Sequence, residues 1–124
     1  MIIIDATHED LDALMDLNQS VLPERYPRFM WQAFLKEPHK TIVIKDPENQ
    51  GNKPIAYIVI DRYDPSRIYI SSIAVATEYQ SKGLASWLLR HVFSLYPTDT
   101  FYLHVRKKNL RAIALYNRFG FEIT

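Results

Sequence analysis

The alternation of hydrophobic and polar positions along the chain predicts short strands interspersed with amphipathic helices. Strands are indicated where β-branched and aromatic residues run together or alternate with polar ones. The predicted strands are residues 2–4, 41–45, 54–62, 67–75 and 101–106. Helices are indicated where hydrophobic residues recur three or four positions apart. The predicted helices begin at residues 7, 29, 83 and 109, and those from 29 and 83 end at residues 36 and 95.

Capping and turn-forming residues place the ends of these elements. Thr7 is expected to cap the first helix, with Asp10 at its third position. Prolines place a loop at residues 19–27, and a polar stretch with one glycine places a hairpin loop at 46–53. Asn109 is expected to cap the last helix, which runs to about residue 118.

The resulting element order is βααβββαβα, with room for a further strand beginning at Phe121. Antiparallel hairpins come first and a β–α–β crossover comes later. This order predicts a mixed α/β fold.

Length and charge limit the classes of protein to consider. A chain of 124 residues fits a single domain spanning 1–124. Its 15 basic and 14 acidic residues nearly cancel, so net charge favours neither a nucleic acid nor an anionic membrane as partner. A hydrophobic run of about 18 residues and a signal-peptide pattern are both missing, so the cytoplasm is the expected compartment.

The chain contains no cysteine. Disulfides, cysteine-ligated metal sites and a cysteine nucleophile are therefore excluded, and we predict no metal site. If the protein handles thioesters, the sulfur must arrive on a cofactor.

The turn between strand 67–75 and helix 83–95 is the first candidate site. It reads Gln80-Ser81-Lys82-Gly83-Leu84-Ala85, and we call it the phosphate turn. A helix N-terminus presents unpaired N–H groups and partial positive charge. Gly83 lets a phosphate approach the backbone closely, and Lys82 adds a cation. Taken alone, the pattern is a weak signal and more often marks a glycine that simply begins a helix.

A second motif changes this interpretation. The run from Asn109 to Phe121 reads Asn-Leu-Arg-Ala-Ile-Ala-Leu-Tyr-Asn-Arg-Phe-Gly-Phe and follows the strand Tyr102-Leu103-His104-Val105-Arg106. Together with the phosphate turn, it resembles the GNAT superfamily of acetyltransferases in motif order and spacing, across essentially the whole chain. The resemblance implies a mostly antiparallel sheet flanked by helices, with a parallel β–α–β core that binds acetyl-CoA.

Within that superfamily the chain is most similar to protein N-terminal acetyltransferases. The match is carried by Arg67-Ile68-Tyr69-Ile70, by Tyr102-Leu103-His104-Val105, and by the stretch from Asn18 through Leu22-Pro23 to Tyr26. The resemblance implies direct transfer of an acetyl group to a protein or peptide N-terminal α-amine. Transfer to a lysine or a small amine, and a non-catalytic acetyl-CoA-binding scaffold, remain the alternatives.

The resemblance also implies three catalytic residues. His104 and Tyr69 act together on the amine, and an imidazole suits proton transfer because its ordinary pKa lies near working pH. Tyr116, seven residues after Asn109, is the candidate for protonating the departing sulfur. The alternatives are a polar residue on an exposed strand for His104 and core aromatics for the tyrosines.

The cofactor-binding residues implied by the resemblance contribute backbone groups, small side chains or polar groups along one path. They are Ile73, Ala74, Val75, Gln80, Ser81, Lys82, Gly83, Leu84, Ala85, Asn109 and Tyr116. A basic cluster at Arg106, Lys107, Lys108 and Arg111 either meets the adenosine 3′-phosphate, attracts a substrate or is simply solvated.

Leu22, Pro23, Glu24 and Tyr26 are expected to shape the pocket for the acceptor. Glu24 departs from the apolar loop of the resembled branch, and it either attracts an α-ammonium group or is solvated.

Members of the family usually continue with one or two strands past the Gly-Phe corner. We therefore expect missing C-terminal strands, with either an open groove or completion by a second copy in a homodimer. The expected partner is a protein or peptide N-terminus, with neither membrane nor direct nucleic acid.

Overall fold

A computed structural model describes residues 1–97 and 99–122, and within them the backbone forms five strands and five α-helices. The strands are β1 (Ile2–Asp5), β2 (His39–Lys45), β3 (Pro54–Asp61), β4 (Arg67–Val75) and β5 (Thr100–Leu103). The α-helices are α1 (Leu11–Val21), α2 (Arg28–Phe34), α3 (Pro47–Gln50), α4 (Leu84–Leu95) and α5 (Leu110–Arg118).

The strands form one sheet in the order β1-β2-β3-β4-β5. The first three pairings are antiparallel, and β5 runs parallel to β4 after the α4 crossover. This confirms the predicted mixed sheet and its parallel β–α–β unit. Parallel neighbours require a crossover connection, which here places the N-terminus of α4 just beyond the end of β4.

Helices cover both faces of the sheet, so the central strand β3 is buried on both sides. Ile58 and Ile60 pack in the core beneath α4, whereas Tyr57 and Val59 pack in the core beneath α1 and α2. All four side chains are fully buried. Two-sided coverage explains why this strand reads as a continuous apolar run rather than an alternation.

A β-bulge in β4 changes which face its side chains occupy. Val59 pairs with Ser72 but the next residue of β3, Ile60, pairs with Ile70, so Ser71 is an extra residue. Ile70 therefore belongs to the α4 core, while Ala74 belongs to the α1–α2 core. One inserted residue reverses the side-chain alternation and bends the strand at this point.

Several predicted boundaries differ from the structure. The strand predicted over 101–106 ends at Leu103, because β4 bends away at its bulge and β5 then lacks a partner strand. The loop predicted from residue 19 begins at residue 22, since α1 continues to Val21. The predicted hairpin loop contains the short helix α3. The further strand expected from Phe121 would lie largely on residues 123–124, which are outside the described residues.

A buried ion pair attaches the start of α1 to the sheet. A 3₁₀ turn over His8–Asp10 precedes the helix, and the Asp10 carboxylate accepts a hydrogen bond of 2.9 Å from the backbone N–H of Thr7. The other oxygen of Asp10 lies 2.9 Å from Nζ of Lys45 on β2. The two side chains are only 2% and 6% exposed. Both charges are therefore compensated inside the protein, as buried charges must be.

Among the residues that the structure describes, none of the helices combines the length and apolar character needed to cross a membrane.

Candidate active site

The sheet opens between β4 and β5 beyond the bulge. The described ladder between these strands runs from Arg67–Thr100 to Ile70–Leu103. β4 continues to Val75, and its last three residues, Ile73, Ala74 and Val75, pair with β3 on the other side. This edge of β4 therefore presents backbone groups to an extended ligand, in the manner of an added strand.

The phosphate turn connects this open edge to α4. Gly83 has φ +81° and precedes the first residue of the helix, and Ser81 also has a positive φ of 65°. A Cβ placed on Gly83 would meet no protein atom within 4 Å, so the space in front of the helix N-terminus is open. Gln80 closes the turn by donating from Nε2 to the Val75 carbonyl over 3.0 Å. Helix N–H groups beside open space form an anion-binding arrangement.

Arg111 links α5 to the phosphate turn. Its guanidinium donates to Oε1 of Gln80 over 3.1 Å and to Oγ of Ser81. Arg90 from α4 and Arg118 from α5 line the same groove. Guanidinium groups together with a helix N-terminus form a donor set suited to phosphates. The residues present therefore fit a diphosphate-containing cofactor.

Arg90 and Arg118 were not predicted from the sequence. They lie on different helices, and their meeting depends on how α4 and α5 pack together. The predicted basic cluster is instead divided, because Arg111 binds the turn while Arg106 reaches the opposite side of the opening.

Of the remaining predicted turn residues, Lys82 is exposed, Leu84 is buried beneath the helix and Ala85 is half-buried.

Tyr69 and His104 lie together at the end of the β4–β5 ladder. Their ring centroids are 5.4 Å apart, and the ring centroid of Tyr102, the partner of Tyr69 in the ladder, lies 5.0 Å from that of Tyr69. Burial is the main cause that raises the pKa of Tyr69 above its ordinary value, assisted by the neighbouring Tyr26 and Tyr102. The phenol is therefore a neutral hydrogen-bonding group at neutral pH. His104 is exposed immediately after β5.

The loop between α1 and α2, residues 22–27, borders the same opening. Tyr26 donates its hydroxyl to the carbonyl of the bulge residue Ser71 over 3.3 Å. The carboxylate of Glu24 accepts a 2.6 Å hydrogen bond from Nε of Arg106, which is the main cause that lowers the pKa of Glu24. The Glu24 carboxylate is thus paired across the opening rather than freely solvated. Of the other residues predicted in this loop, Leu22 is half-buried and Pro23 is exposed.

Tyr116 and Asn109 lie on α5. The Asn109 side chain accepts a 3.1 Å hydrogen bond from the backbone N–H of Ala112, which confirms its predicted capping role. Tyr116 is only 8% exposed and packs in the α4 core, with its ring centroid 5.7 Å from that of Phe121. Burial raises the pKa of Tyr116 to about 12. Its hydroxyl is therefore protonated at neutral pH.

A buried polar network connects the α1–α2 loop to β4. Asn18 donates to Oη of Tyr57, which lies 2.8 Å from Oγ of Ser72. Tyr57 and Ser72 were not predicted as site residues from the sequence. A tyrosine within an otherwise aliphatic buried strand was the available signal, since a buried phenol needs a partner for its hydroxyl.

Comparison with known proteins identifies the family. The sequence profile described as the Acetyltransferase (GNAT) family matches residues 11–121 of the chain. The chain belongs to the GNAT family of acetyltransferases. It is accordingly an N-acetyltransferase, and its co-substrate is acetyl-CoA.

One curated relative matches most of the chain. The GNAT chain is 32% identical over 115 residues to the N-terminal acetyltransferase complex ARD1 subunit homolog of Dictyostelium discoideum, covering 87% of this chain and 55% of that protein. The chain therefore spans about half the length of this relative.

Two solved structures superpose on almost the whole chain. The ribosomal-protein-S18-alanine N-acetyltransferase of Escherichia coli superposes with a TM-score of 0.86 at 25% identity, over 99% of this chain and 78% of that one. Arabidopsis thaliana Naa50, in complex with the bisubstrate analogue CoA-Ac-MVNAL, superposes with a TM-score of 0.77 at 26% identity, over 99% and 83%. The GNAT fold predicted from the sequence is thereby confirmed.

Proposed function

We propose that this GNAT domain, spanning residues 1–124, acetylates the N-terminal α-amine of a protein or peptide by direct transfer from acetyl-CoA. The observation that carries the proposal is the convergence of Tyr69 and His104 beside the α1–α2 loop, at the point where β4 and β5 separate. Relatives named N-alpha-acetyltransferase and the peptide-containing analogue bound to Arabidopsis Naa50 support the acceptor class.

In this proposal His104 is the proton acceptor. An α-ammonium group must lose a proton before its nitrogen can bond to the acetyl carbon. An imidazole nitrogen of His104 takes that proton, through a water molecule where the acceptor lies too far for direct contact. Tyr69 keeps its own proton, because burial raises its pKa, and orients the amine and the water by hydrogen bonding. As the new C–N bond forms, the C–S bond of the thioester breaks. The second proton that the nitrogen loses passes to solvent, from which Tyr116 recovers the proton that it gives to the sulfur.

Tyr116 supplies the proton that the departing sulfur requires. Its pKa of about 12 keeps the hydroxyl protonated, so it donates rather than accepts. Replacement of Tyr116 by phenylalanine should lower kcat, while acetyl-CoA affinity changes little because the ring is retained. Equal kcat values for Tyr116→Phe and the wild type would remove this role.

The co-substrate is held by the phosphate turn and the open edge of β4. Backbone groups of Ile73, Ala74 and Val75 bind its amide-bearing arm, and the N-terminus of α4 at Gly83 binds its pyrophosphate. The turn around these groups is shaped by Gln80, Ser81, Lys82, Leu84 and Ala85. In this proposal the Asn109 side chain both caps α5 and hydrogen-bonds the amide-bearing arm.

In this proposal the acceptor contacts four residues of the α1–α2 loop, Leu22, Pro23, Glu24 and Tyr26. The paired Glu24 carboxylate lies at the entrance, where release of Arg106 makes it available to an ammonium group.

A screen of acceptors tests the proposal. Peptides varied at their first two residues are compared with the same peptides blocked at the N-terminus but carrying a lysine, and with small polyamines. Released CoA is measured with a thiol reagent, and the reagent meets no protein background because the chain contains no cysteine.

We expect product only with free N-termini, with mass spectrometry placing the acetyl group on the α-nitrogen. Acetylation confined to lysine side chains or polyamines would assign the chemistry to those amines. Tight binding of acetyl-CoA without transfer to any acceptor would favour the scaffold alternative.

A further inference from the structure

The side chain of Asn18, near the C-terminal end of α1, is completely buried yet polar. A buried amide is costly unless its hydrogen bonds are satisfied. Nδ2 of Asn18 donates to the backbone carbonyl of Glu24 over 2.8 Å, and Oδ1 accepts from the backbone N–H of Tyr26 over 3.1 Å. Two of its bonds are therefore made to the backbone of the α1–α2 loop, on either side of residue 25.

The same amide is also connected to the sheet. Nδ2 donates to Oη of Tyr57 over 3.3 Å, and that oxygen lies 2.8 Å from Oγ of Ser72. Ser72 directly follows the bulge residue Ser71, whose carbonyl accepts the hydroxyl of Tyr26. The loop and the bulge of β4 are thus joined twice, once through Asn18 and once through Tyr26.

If the proposed function is correct, these links between the loop and the β4 bulge affect how the acceptor binds. The bulge lies where β4 and β5 separate, and Tyr69 lies two residues before it. The α1–α2 loop carries the residues proposed to contact the acceptor. We propose that Asn18 is a positioning residue, which holds the backbone of this loop at a set distance from the β4 bulge and thereby determines how tightly the acceptor's first residues bind.

Replacement of Asn18 by aspartate, which has nearly the same shape, distinguishes the hydrogen bond that Asn18 accepts from those that it donates. Asn18→Asp keeps an oxygen that accepts from the N–H of Tyr26. It replaces the nitrogen that donates to the Glu24 carbonyl and to the Tyr57 hydroxyl by a second oxygen. Ser72→Ala is the matched control, because it removes a polar partner from the far end of the same network and leaves both bonds to the loop.

The kinetic test measures KM for a peptide with a free N-terminus, kcat, and the Kd of acetyl-CoA. For Asn18→Asp we expect the peptide KM to rise about tenfold, the effect of losing the buried hydrogen bond to the loop carbonyl of Glu24. Acetyl-CoA affinity should stay within about twofold, since no phosphate-turn contact changes. Ser72→Ala should leave the peptide KM within about twofold. An unchanged peptide KM in Asn18→Asp, or an equal rise in both variants, would overturn the inference.

Amide hydrogen exchange provides a readout that does not depend on activity or on the folding of a variant. In the wild-type protein the N–H of Tyr26 should be protected, because it is bonded to a buried amide oxygen. If Tyr26 exchanges as fast as the free amides of an open loop, the inference fails even if peptides are acetylated. If no peptide is acetylated but Tyr26 is protected, the proposed acceptor fails and the loop attachment stands.

Discussion

Replacement of Gly83 by valine should have a small effect on the stability of the fold and a larger effect on the affinity for CoA. Gly83 has φ +81°, in the left-handed region that costs a residue with a Cβ about 1–2 kcal/mol. A Cβ there meets no atom within 4 Å outside the two neighbouring residues, so the left-handed backbone conformation accounts for most of this cost. We therefore expect Gly83→Val to lower the free energy of unfolding by about 1–2 kcal/mol, with some further cost for the β-branch. In a chain of this size, Tm should fall by about 4 °C for each kcal/mol.

The larger effect should be on CoA binding. The same open space lies directly before the N-terminus of α4, where a pyrophosphate would accept hydrogen bonds from backbone N–H groups. Loss of one such charge-assisted bond corresponds to about tenfold or more in Kd. Titration calorimetry with CoA measures the affinity, and thermal unfolding measures the stability of the same samples.

Gly51 offers a matched control for this variant. It also has a positive φ, +62°, and open space around its Cβ position, but it lies in the connection between β2 and β3. Gly51→Val should cost at least as much stability and leave the Kd of CoA unchanged. Wild-type affinity in Gly83→Val would refute the assignment of the phosphate turn. Equal losses of affinity in both variants would show that backbone strain, not crowding of the ligand, is responsible.

Three further predictions follow from individual side chains. His104→Ala should lower kcat about 10²- to 10⁴-fold with acetyl-CoA affinity retained; a normal rate across about pH 6 to 9 would exclude a proton-accepting role. Burial raises the pKa of Tyr57 from 10.0 to about 12, so its contribution to stability is complete below about pH 10 and is lost as pH rises toward 12. Urea unfolding should therefore show that the destabilisation caused by Tyr57→Phe shrinks over that interval, and a pH-independent difference would contradict this. Asp10→Ala should cost about 3–5 kcal/mol in chemical denaturation, because it leaves the buried ammonium of Lys45 without its carboxylate. Asp12→Ala, which breaks an exposed ion pair, should cost less than about 1 kcal/mol, and similar losses in the two variants would refute the argument.

The sequence alone determined the features that depend on local spacing. The run over 54–62 and the helical periodicity from residue 84 predicted β3 and α4, because hydrophobic patterning reflects which faces a segment buries. The phosphate turn and the Asn109–Phe121 motif resemble those of the GNAT superfamily, and that resemblance predicted the fold and acetyl-CoA. By itself, the glycine at a helix N-terminus predicted only an anion. Asn109 was also correctly predicted as a cap.

Only the tertiary structure decided which distant groups meet. The bulge at Ser71 could not be read from the alternation in 67–75, because it depends on the register with β3. Where β4 bends away, β5 stops at Leu103, which leaves His104 exposed beside Tyr69. The burial of Asn18 depends on packing between α1 and β3, which local sequence does not encode. Side-chain spacing along one segment is set by backbone geometry, whereas contacts between segments are set by packing of the whole chain.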